Sequence, residues 1–230
     1  NPATAEAFAT CFQASPADLD AAVASCRAAF PAWGARTVEE RAALIERIAD
    51  LIDAEKADLA EILSTEQGKP RASAMGEIGA AAGFARATAK LRPAVEVIQD
   101  DEQHYIEVRR RPLGVVASIT PWNHPVLIAI WHVMPALLAG NTVVIKPSSY
   151  TPLATLRLVE LANRILPPGV LNAIAGEGGL GRAMSGHPGI DKIVFTGSTP
   201  TGRNIMANAA GNLKRLTLEL GGNDAAVMLP

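Results

Sequence analysis

The first part of the chain carries apolar residues at helical spacing. A segment typical of a helix start, Ser15-Pro16-Ala17-Asp18, precedes four apolar positions that recur every three or four residues: Leu19, Val23, Cys26 and Phe30. Thr37-Val38-Glu39-Glu40 has the capping-box form and opens a long amphipathic stretch that ends at Gly68-Lys69-Pro70. An alanine-rich helix is predicted over residues 72–90. The pattern therefore predicts a helical segment over residues 1–92.

The apolar period then changes from that of a helix to that of a strand. Residues 95–98 and 105–108 alternate around a polar turn at residues 99–104, which predicts an antiparallel hairpin with a largely solvated outer face. A two-stranded ribbon is only marginally stable alone. We therefore interpret residues 93–112 as an arm that pairs with another strand, and we expect the full-length protein to be a homo-oligomer.

From residue 113 onward, short apolar runs alternate with helical patterns. Strands are predicted over residues 115–119, 142–145, 171–174, 193–196 and 216–220, with a further short run at 225–228. The first predicted helix covers residues 125–139, and the second opens at Thr151-Pro152 and closes before Pro167-Pro168-Gly169. A short helix follows the strand at 171–174 and ends at about residue 185, and the last runs from Thr199-Pro200 to about residue 211. Such repeats predict an α/β fold. Its Rossmann-like parallel sheet has helices on both faces and follows the helical segment and the hairpin arm.

Composition narrows the possible functions. The net charge of −2 gives no electrostatic case for binding nucleic acid or an anionic membrane, and no run of apolar residues is long enough to span a bilayer. The two cysteines do not form a Cys-x-x-Cys pair, and the four histidines lack metal-ligand spacing. We therefore expect no metal site, no nucleic-acid or membrane partner, and a reducing, cytoplasmic location.

Chemically capable residues follow each predicted strand. In parallel α/β folds ligands bind at the carboxyl edge of the sheet, so these residues should meet there. They are Thr120-Pro121-Trp122-Asn123, Lys146-Pro147-Ser148-Ser149, the glycine-rich run from Gly176 to Gly181, Gly197-Ser198, and Glu219-Leu220-Gly221-Gly222. A lysine, an amide, glycines beside a helix N-terminus and one carboxylate suit a phosphate-bearing cofactor and a proton transfer.

Two short motifs match known nucleotide sites incompletely. Gly176-x-Gly178-x-x-Gly181 has the glycine spacing of a dinucleotide fingerprint, but Thr201 stands about where the acidic residue should follow. The segment from Gly197 to Asn204 resembles a P-loop but carries Arg203 and Asn204 in place of the required lysine and hydroxyl residue. The glycine-rich loop is at least as consistent with ordinary turn chemistry, and the two mismatches disfavour the P-loop interpretation.

Taken together, five motifs resemble the aldehyde dehydrogenase superfamily over nearly the whole chain: "EQGKP", "TPWNHP", "GNTVVIKPSSYTP", "FTGSTPTGR" and "LELGG". The resemblance implies that residues 1–230 form an NAD(P)-binding domain. It implies an enzyme that oxidises an aldehyde to a carboxylic acid with NAD or NADP through a cysteine thiohemiacetal. Neither Cys11 nor Cys26 matches the nucleophile's motif, so the catalytic cysteine domain is expected to be absent from this chain.

The resemblance also implies roles for individual residues. Asn123 would donate to the oxyanion, and Glu219 would be the general base, buried within the site. Lys146 would bind the adenosine ribose, and Trp122, Gly197 and Ser198 would lie by the pyrophosphate. The remaining expected cofactor contacts are Ile119, Thr120, Pro121, Ser148, Ser149, Gly176 and Leu220. Each key residue also has a plain structural interpretation: Asn123 as a turn residue, Glu219 and Lys146 as solvated side chains.

Two departures from the family pattern limit this interpretation. Ser149 stands where many NAD-preferring members have a glutamate, so NADP use is possible. His132 stands where many have a lysine, and we expect a histidine packed against the helix. Val126, Ile130 and His132 are expected to shape the aldehyde channel. A non-catalytic nucleotide-binding fragment, or a structural module that works through its hairpin, remains an alternative.

Overall fold

The N-terminal third of the computed structural model is helical, as predicted. The structure describes residues 1–223 and 225–228. Four helices come first: α1 (Pro16–Gly34), α2 (Val38–Ala54), α3 (Lys56–Gln67) and α4 (Arg71–Ala89). Both predicted caps are confirmed, since Ser15 and Thr37 each form a reciprocal capping box with the acid three residues on. The long amphipathic stretch is two helices, because the chain bends at Glu55 between α2 and α3.

The predicted hairpin is present and largely exposed. It pairs β1 (Glu96–Asp100) with β2 (Tyr105–Val108) in antiparallel register, with an irregularity between Val97 and Gln99. The first strand runs two residues further than predicted. The turn that follows is closed by Asp101, whose Oδ1 accepts the backbone N–H groups of residues 103 and 104 at 2.8 Å. Apolar side chains on both strands remain exposed to solvent.

A five-stranded parallel sheet forms the centre of the molecule. Its strands are β3 (Val115–Ile119), β4 (Thr142–Lys146), β5 (Leu171–Ala173), β6 (Lys192–Gly197) and β7 (Arg215–Leu220), in the spatial order β5-β4-β3-β6-β7. The intervening helices are α5 (Pro125–Leu138), α6 (Leu153–Ala162), α7 (Gly178–Gly186) and α8 (Thr199–Ala209). The strand order reverses direction at β3, which is where ligands bind in doubly wound sheets.

Each face of the sheet is covered by its own hydrophobic core. One core contains residues of the five helices α2, α3, α4, α5 and α6 together with Val116, Val143 and Ile145. The other joins α1, α7 and α8 with Val115, Ala117 and Val144. Alternate residues of one strand therefore point into different cores, which explains the unbroken apolar runs in β3 and β4. The predicted fold class is confirmed.

One detail of the sequence prediction is wrong. Residues 225–228 do not form a strand, and the described part of the sheet ends at β7. A short apolar run has no way to signal whether a neighbouring strand is available to pair with it. Helix α6 ends at Ala162, before Pro167 as predicted, and Asn163 Nδ2 then donates to the carbonyl of Leu171, the first residue of β5. Within the described residues, no helix is long and apolar enough to cross a membrane.

Candidate active site

The loop after β3 carries Asn123 at the carboxyl edge of the sheet. Asn123 and Trp122 are exposed, whereas α5 begins immediately afterwards at the buried Pro125. The side-chain Oδ1 of Asn123 accepts the backbone N–H of His124 at 3.0 Å. Its Nδ2 makes no hydrogen bond to the described part of the chain. The turn thus engages the amide oxygen and leaves the amide donor available to a ligand.

Most of the residues expected at the site line two adjoining cavities. The larger is a cleft of about 1080 Å³, lined by Thr120, Pro121, Trp122, Asn123, Gly197, Ser198, Glu219 and Leu220 together with others. The smaller, of about 470 Å³, is lined by Ile119, Lys146, Ser148 and Ser149 and by residues of α7 and α8. Ser148 and Thr201 border both, so the two cavities lie side by side.

Lys146 lies at the end of β4 and is buried. Its Nζ donates to the carbonyl of Pro147 at 3.1 Å, and burial lowers the pKa of the ammonium group from its ordinary value. The side chain also lies 3.8 Å from the position that a Cβ at Gly181 would occupy. The structure therefore excludes the interpretation of Lys146 as a solvated side chain. Lys146 is a buried donor on the wall of the smaller cavity.

The smaller cavity also has cationic and amide side chains in its lining that were not among the residues predicted from the sequence. Arg182 and Ser185 come from α7, and Thr201, Asn204 and Asn208 come from α8. Asn208 Nδ2 donates to Ser185 Oγ at 2.9 Å, which joins the two helices. The α8 residues are spaced three and four apart, so they share one face of the helix. That polar stripe at helical spacing was the signal available in the sequence.

Glu219 lines the larger cleft but is exposed, so the burial expected of it is wrong for this structure. The reason is its place on β7, an edge strand of the sheet, whose outer side no described element covers. Gly176 lines neither cavity. A Cβ there would lie 2.7 Å from Leu180, so the glycine lets α7 pack closely instead. Gly197 does line the cleft, and a Cβ there would lie 2.5 Å from the Phe195 ring.

His132 is a packed histidine, as expected. Its Nδ1 lies 3.0 Å from Ser118 Oγ on β3, and its Nε2 lies 2.9 Å from Thr196 Oγ1 on β6. Burial lowers the pKa of the imidazole to about 4, so the ring is neutral at physiological pH. It holds α5 against two strands while one edge reaches the larger cleft.

The apolar part of the cleft differs from the sequence expectation. Val126 and Ile130 are fully buried in the core, so they do not shape a channel. The aromatic side chains of Trp131 and Phe84 line the cleft instead, with ring centroids 5.9 Å apart and planes tilted by 53°. Helix α5 is apolar on nearly all sides, so its sequence pattern could not identify the exposed face.

The walls of the two cavities carry hydrogen-bond donors that are available to a dinucleotide. Thr120 Oγ1 is buried in the cleft wall and has no hydrogen-bond partner within the described chain. The first N–H groups of α8, next to the Ser198 cap, lie beside the cleft and favour an anion such as a pyrophosphate. Carboxylates are absent from the described lining of the smaller cavity, whereas Lys146 and Arg182 are present.

Comparison with known proteins agrees with the motifs. The family model described as "Aldehyde dehydrogenase family" matches residues 1–230. Aldehyde dehydrogenase LUC3 of Fusarium sp. is 43% identical over 217 residues, which are 94% of this chain and 46% of LUC3. The chain thus spans about half the length of the curated relatives it matches.

Solved structures give the same result. PnpE of Pseudomonas sp. WBC-3, in complex with nicotinamide adenine dinucleotide, superposes with a TM-score of 0.87 at 43% identity, over 91% of this chain and 44% of PnpE. An NADP-dependent enzyme of E. coli gives a TM-score of 0.93 at 38% identity, over 97% and 47% of the two chains. With the whole chain matched by the family model, these residues belong to the aldehyde dehydrogenase family.

Proposed function

We propose that this chain is the cofactor-binding part of an enzyme that oxidises an aldehyde to a carboxylic acid with NAD or NADP. The observation that carries the proposal is the meeting of Asn123 and Glu219 in one cleft, which adjoins the cavity around Lys146. In this proposal the nucleophilic cysteine comes from sequence outside the 230 residues. The buried Cys26 is unsuited to that role, because burial raises the pKa of its thiol to about 11.

Each side chain has a defined task in this proposal. The Nδ2 of Asn123 donates to the oxygen of the tetrahedral centre, and loss of one such donor typically costs about 10²–10³ in rate. Glu219 accepts the proton of the hydrolytic water, and further protein over β7 would have to bury it. The bound nicotinamide supplies the hydride acceptor. Trp131 and Phe84 offer the aldehyde an apolar, aromatic wall.

The smaller cavity is proposed to hold the adenosine half of the cofactor, with room for a 2′-phosphate. Ser149 places no negative charge there, and Arg182 adds a positive charge to that of Lys146. A phosphate dianion is favoured by both features, since like charges repel and cations attract. The proposal therefore includes NADP as well as NAD.

The test is calorimetric titration of the full-length protein with each cofactor, followed by an aldehyde-dependent assay of nicotinamide reduction. The Ser149→Glu variant should weaken NADP binding by about tenfold or more and leave NAD binding within about twofold, through charge repulsion. Arg182→Gln should weaken NADP selectively, and Arg47→Gln on α2 serves as the surface control. Equal effects on both cofactors would contradict the 2′-phosphate site. Absence of saturable binding would contradict the function itself.

The exposed hairpin supports a further part of the proposal, that β1 and β2 assemble the full-length protein into a homo-oligomer. Ile106→Pro should abolish that assembly in sedimentation measurements. If it does so while nucleotide binding is absent, the structural-module alternative is favoured. We also propose a reducing, cytoplasmic location, supported by the two free cysteines.

A further inference from the structure

Two side chains at the C-terminal end of α3, Gln67 and Lys69, bind the backbone of the Asn123 loop. Gln67 Nε2 donates to the carbonyl of Asn123 at 2.9 Å and to that of Trp122 at 3.3 Å. Lys69 Nζ donates to the same Asn123 carbonyl at 2.8 Å. Two donors from a distant part of the chain therefore converge on one carbonyl oxygen.

A sharp turn between the two donors makes this convergence possible. Gly68 ends α3 with a φ of 84°, in the left-handed region that glycine adopts without strain. A Cβ at this position would also lie 2.7 Å from Pro2. The turn is closed by Ser64 Oγ, which donates to the carbonyl of Lys69 at 2.8 Å. The local fold thus directs both side chains towards the same loop.

A buried carboxylate anchors the arrangement. The Glu77 side chain is 1% exposed and forms an ion pair with Lys69. Its Oε1 accepts the first N–H groups of α5, those of Val126 at 3.0 Å and Leu127 at 3.1 Å. Its Oε2 lies 3.2 Å from His124 Nδ1. Glu77 therefore caps the helix that follows the loop and neutralises the lysine that holds the loop.

These contacts fix a single peptide plane. The carbonyl of Asn123 and the N–H of His124 belong to the same planar peptide group. Gln67 and Lys69 hold its oxygen, and its N–H holds Oδ1 of the Asn123 side chain at 3.0 Å. Fixing the carbonyl therefore fixes the direction of the N–H, which in turn sets the direction of the free Nδ2 donor.

We propose that Gln67, Lys69 and Glu77 are positioning residues, which act through the Asn123–His124 peptide to aim the Asn123 amide at the substrate oxygen. The inference rests on the proposed function, in which Asn123 is an oxyanion donor. A donor of this kind works only when it is held in place before the charge develops. A displacement of about 1 Å at a catalytic group can cost about 10²-fold in rate.

The test uses variants of the full-length protein that remove donors and leave no buried charge unpaired. Gln67→Met keeps the side-chain length and deletes both amide donors. The double variant Lys69→Met with Glu77→Gln removes both charges of the ion pair at once. The glutamine oxygen can still accept the N–H groups at the start of α5. Lys69→Arg is the conservative variant, which retains a charged donor. Lys90→Met, at the exposed end of α4, is the matched control.

We expect kcat to fall by about tenfold or more in Gln67→Met and in the double variant, with Kd for NAD(P) within about twofold of the wild type. Lys69→Arg should retain most of the wild-type kcat, because it keeps a charged donor at this position. Lys90→Met should have the same kcat as the wild type. Hydrogen exchange of residues 120–127 should be faster in the two impaired variants, while exchange in β4 is unchanged.

Unchanged kcat in Gln67→Met and the double variant would overturn the proposal, as would a loss confined to the KM for the cofactor. Equal acceleration of exchange in the loop and in β4 would also overturn it, because the residues would then support the fold as a whole. If the wild type shows no aldehyde oxidation, the proposed function fails. Hydrogen exchange of residues 120–127 then tests separately whether Gln67, Lys69 and Glu77 hold the Asn123 loop. Unaltered protection of these residues in the variants would refute that role.

Discussion

His132 allows a quantitative test of how α5 is attached to the sheet. Both of its ring nitrogens bond to hydroxyl groups, on Ser118 and Thr196, and the residue is 7% exposed. Burial lowers the pKa of the imidazole from 6.5 to about 4. Between these values the unfolded chain binds a proton that the folded chain does not. The free energy of unfolding should therefore decrease as the pH falls from about 6.5 towards 4.

The size of this decrease follows from the shift. A difference of about 2.5 pKa units corresponds to about 3 kcal/mol at 1.36 kcal/mol per unit. Glu66 acts in the opposite direction, because burial raises the pKa of its carboxyl group from 4.5 to about 7. The folded chain keeps that proton between the two values, so this contribution weakens stability as the pH rises through the window. The two effects oppose each other, and the wild type alone would reveal neither.

The comparison of wild type with His132→Gln isolates the histidine. Urea unfolding should show the variant to be the less stable protein at about pH 7, because it loses packing and hydrogen bonds. At about pH 4 the stability advantage of the wild type should have shrunk by about 2–3 kcal/mol. Arg47→Gln, at an exposed position of α2, is the control and should follow the wild type at both pH values. A stability gap for His132→Gln that does not change with pH would refute the neutral, buried imidazole.

Two further predictions concern residues that are neighbours in sequence or share a residue type but differ in surroundings. Ile130→Ala should lower the free energy of unfolding by about 2–5 kcal/mol in urea titrations, whereas Trp131→Ala should leave it within about 1 kcal/mol and raise the KM for aldehyde severalfold. The reverse assignment would contradict the position of α5. Gly114→Ala should lower the thermal midpoint by several degrees, because Gly114 has a φ of 131° and a Cβ there would overlap the Asp191 carboxylate. A Cβ at Gly178 would meet no atom within 4 Å, so Gly178→Ala should not lower the midpoint. Equal midpoints for the two variants would refute this argument.

The parts of the fold that local sequence could predict are those set by local bonds. Ser15 and Thr37 cap helices through residues only three positions away, so their signatures are complete in a short stretch. Strands β3 and β4 are buried on both faces, so each appears as an apolar run bounded by turn residues. Residues 225–228 have the same local pattern but form no strand, since pairing depends on a neighbour that the pattern does not contain.

For the candidate site, position along the chain predicted more than residue chemistry did. The strand ends brought Asn123, Lys146 and Glu219 to the two adjoining cavities because parallel strands finish at one edge. The exposure of each side chain could not be predicted from the residues around it. Lys146 is buried by α7, whereas Glu219 is exposed because its strand lies at the edge of the sheet. Burial is a property of what packs alongside, and that information lies far from the residue itself.

The contacts of Gln67 and Lys69 show most clearly where sequence reasoning stops. Their segment is recognisable as a helix end, and it forms one of the family-like motifs, but its partners lie 54 to 56 residues further along the chain. Those partners are backbone carbonyls, which accept the same hydrogen bond whatever side chain the residue carries. Residue types at the acceptor positions therefore hold no trace of the contact. Only the fold, by packing α3 and α4 beside the loop after β3, brings these donors to the peptide that orients Asn123.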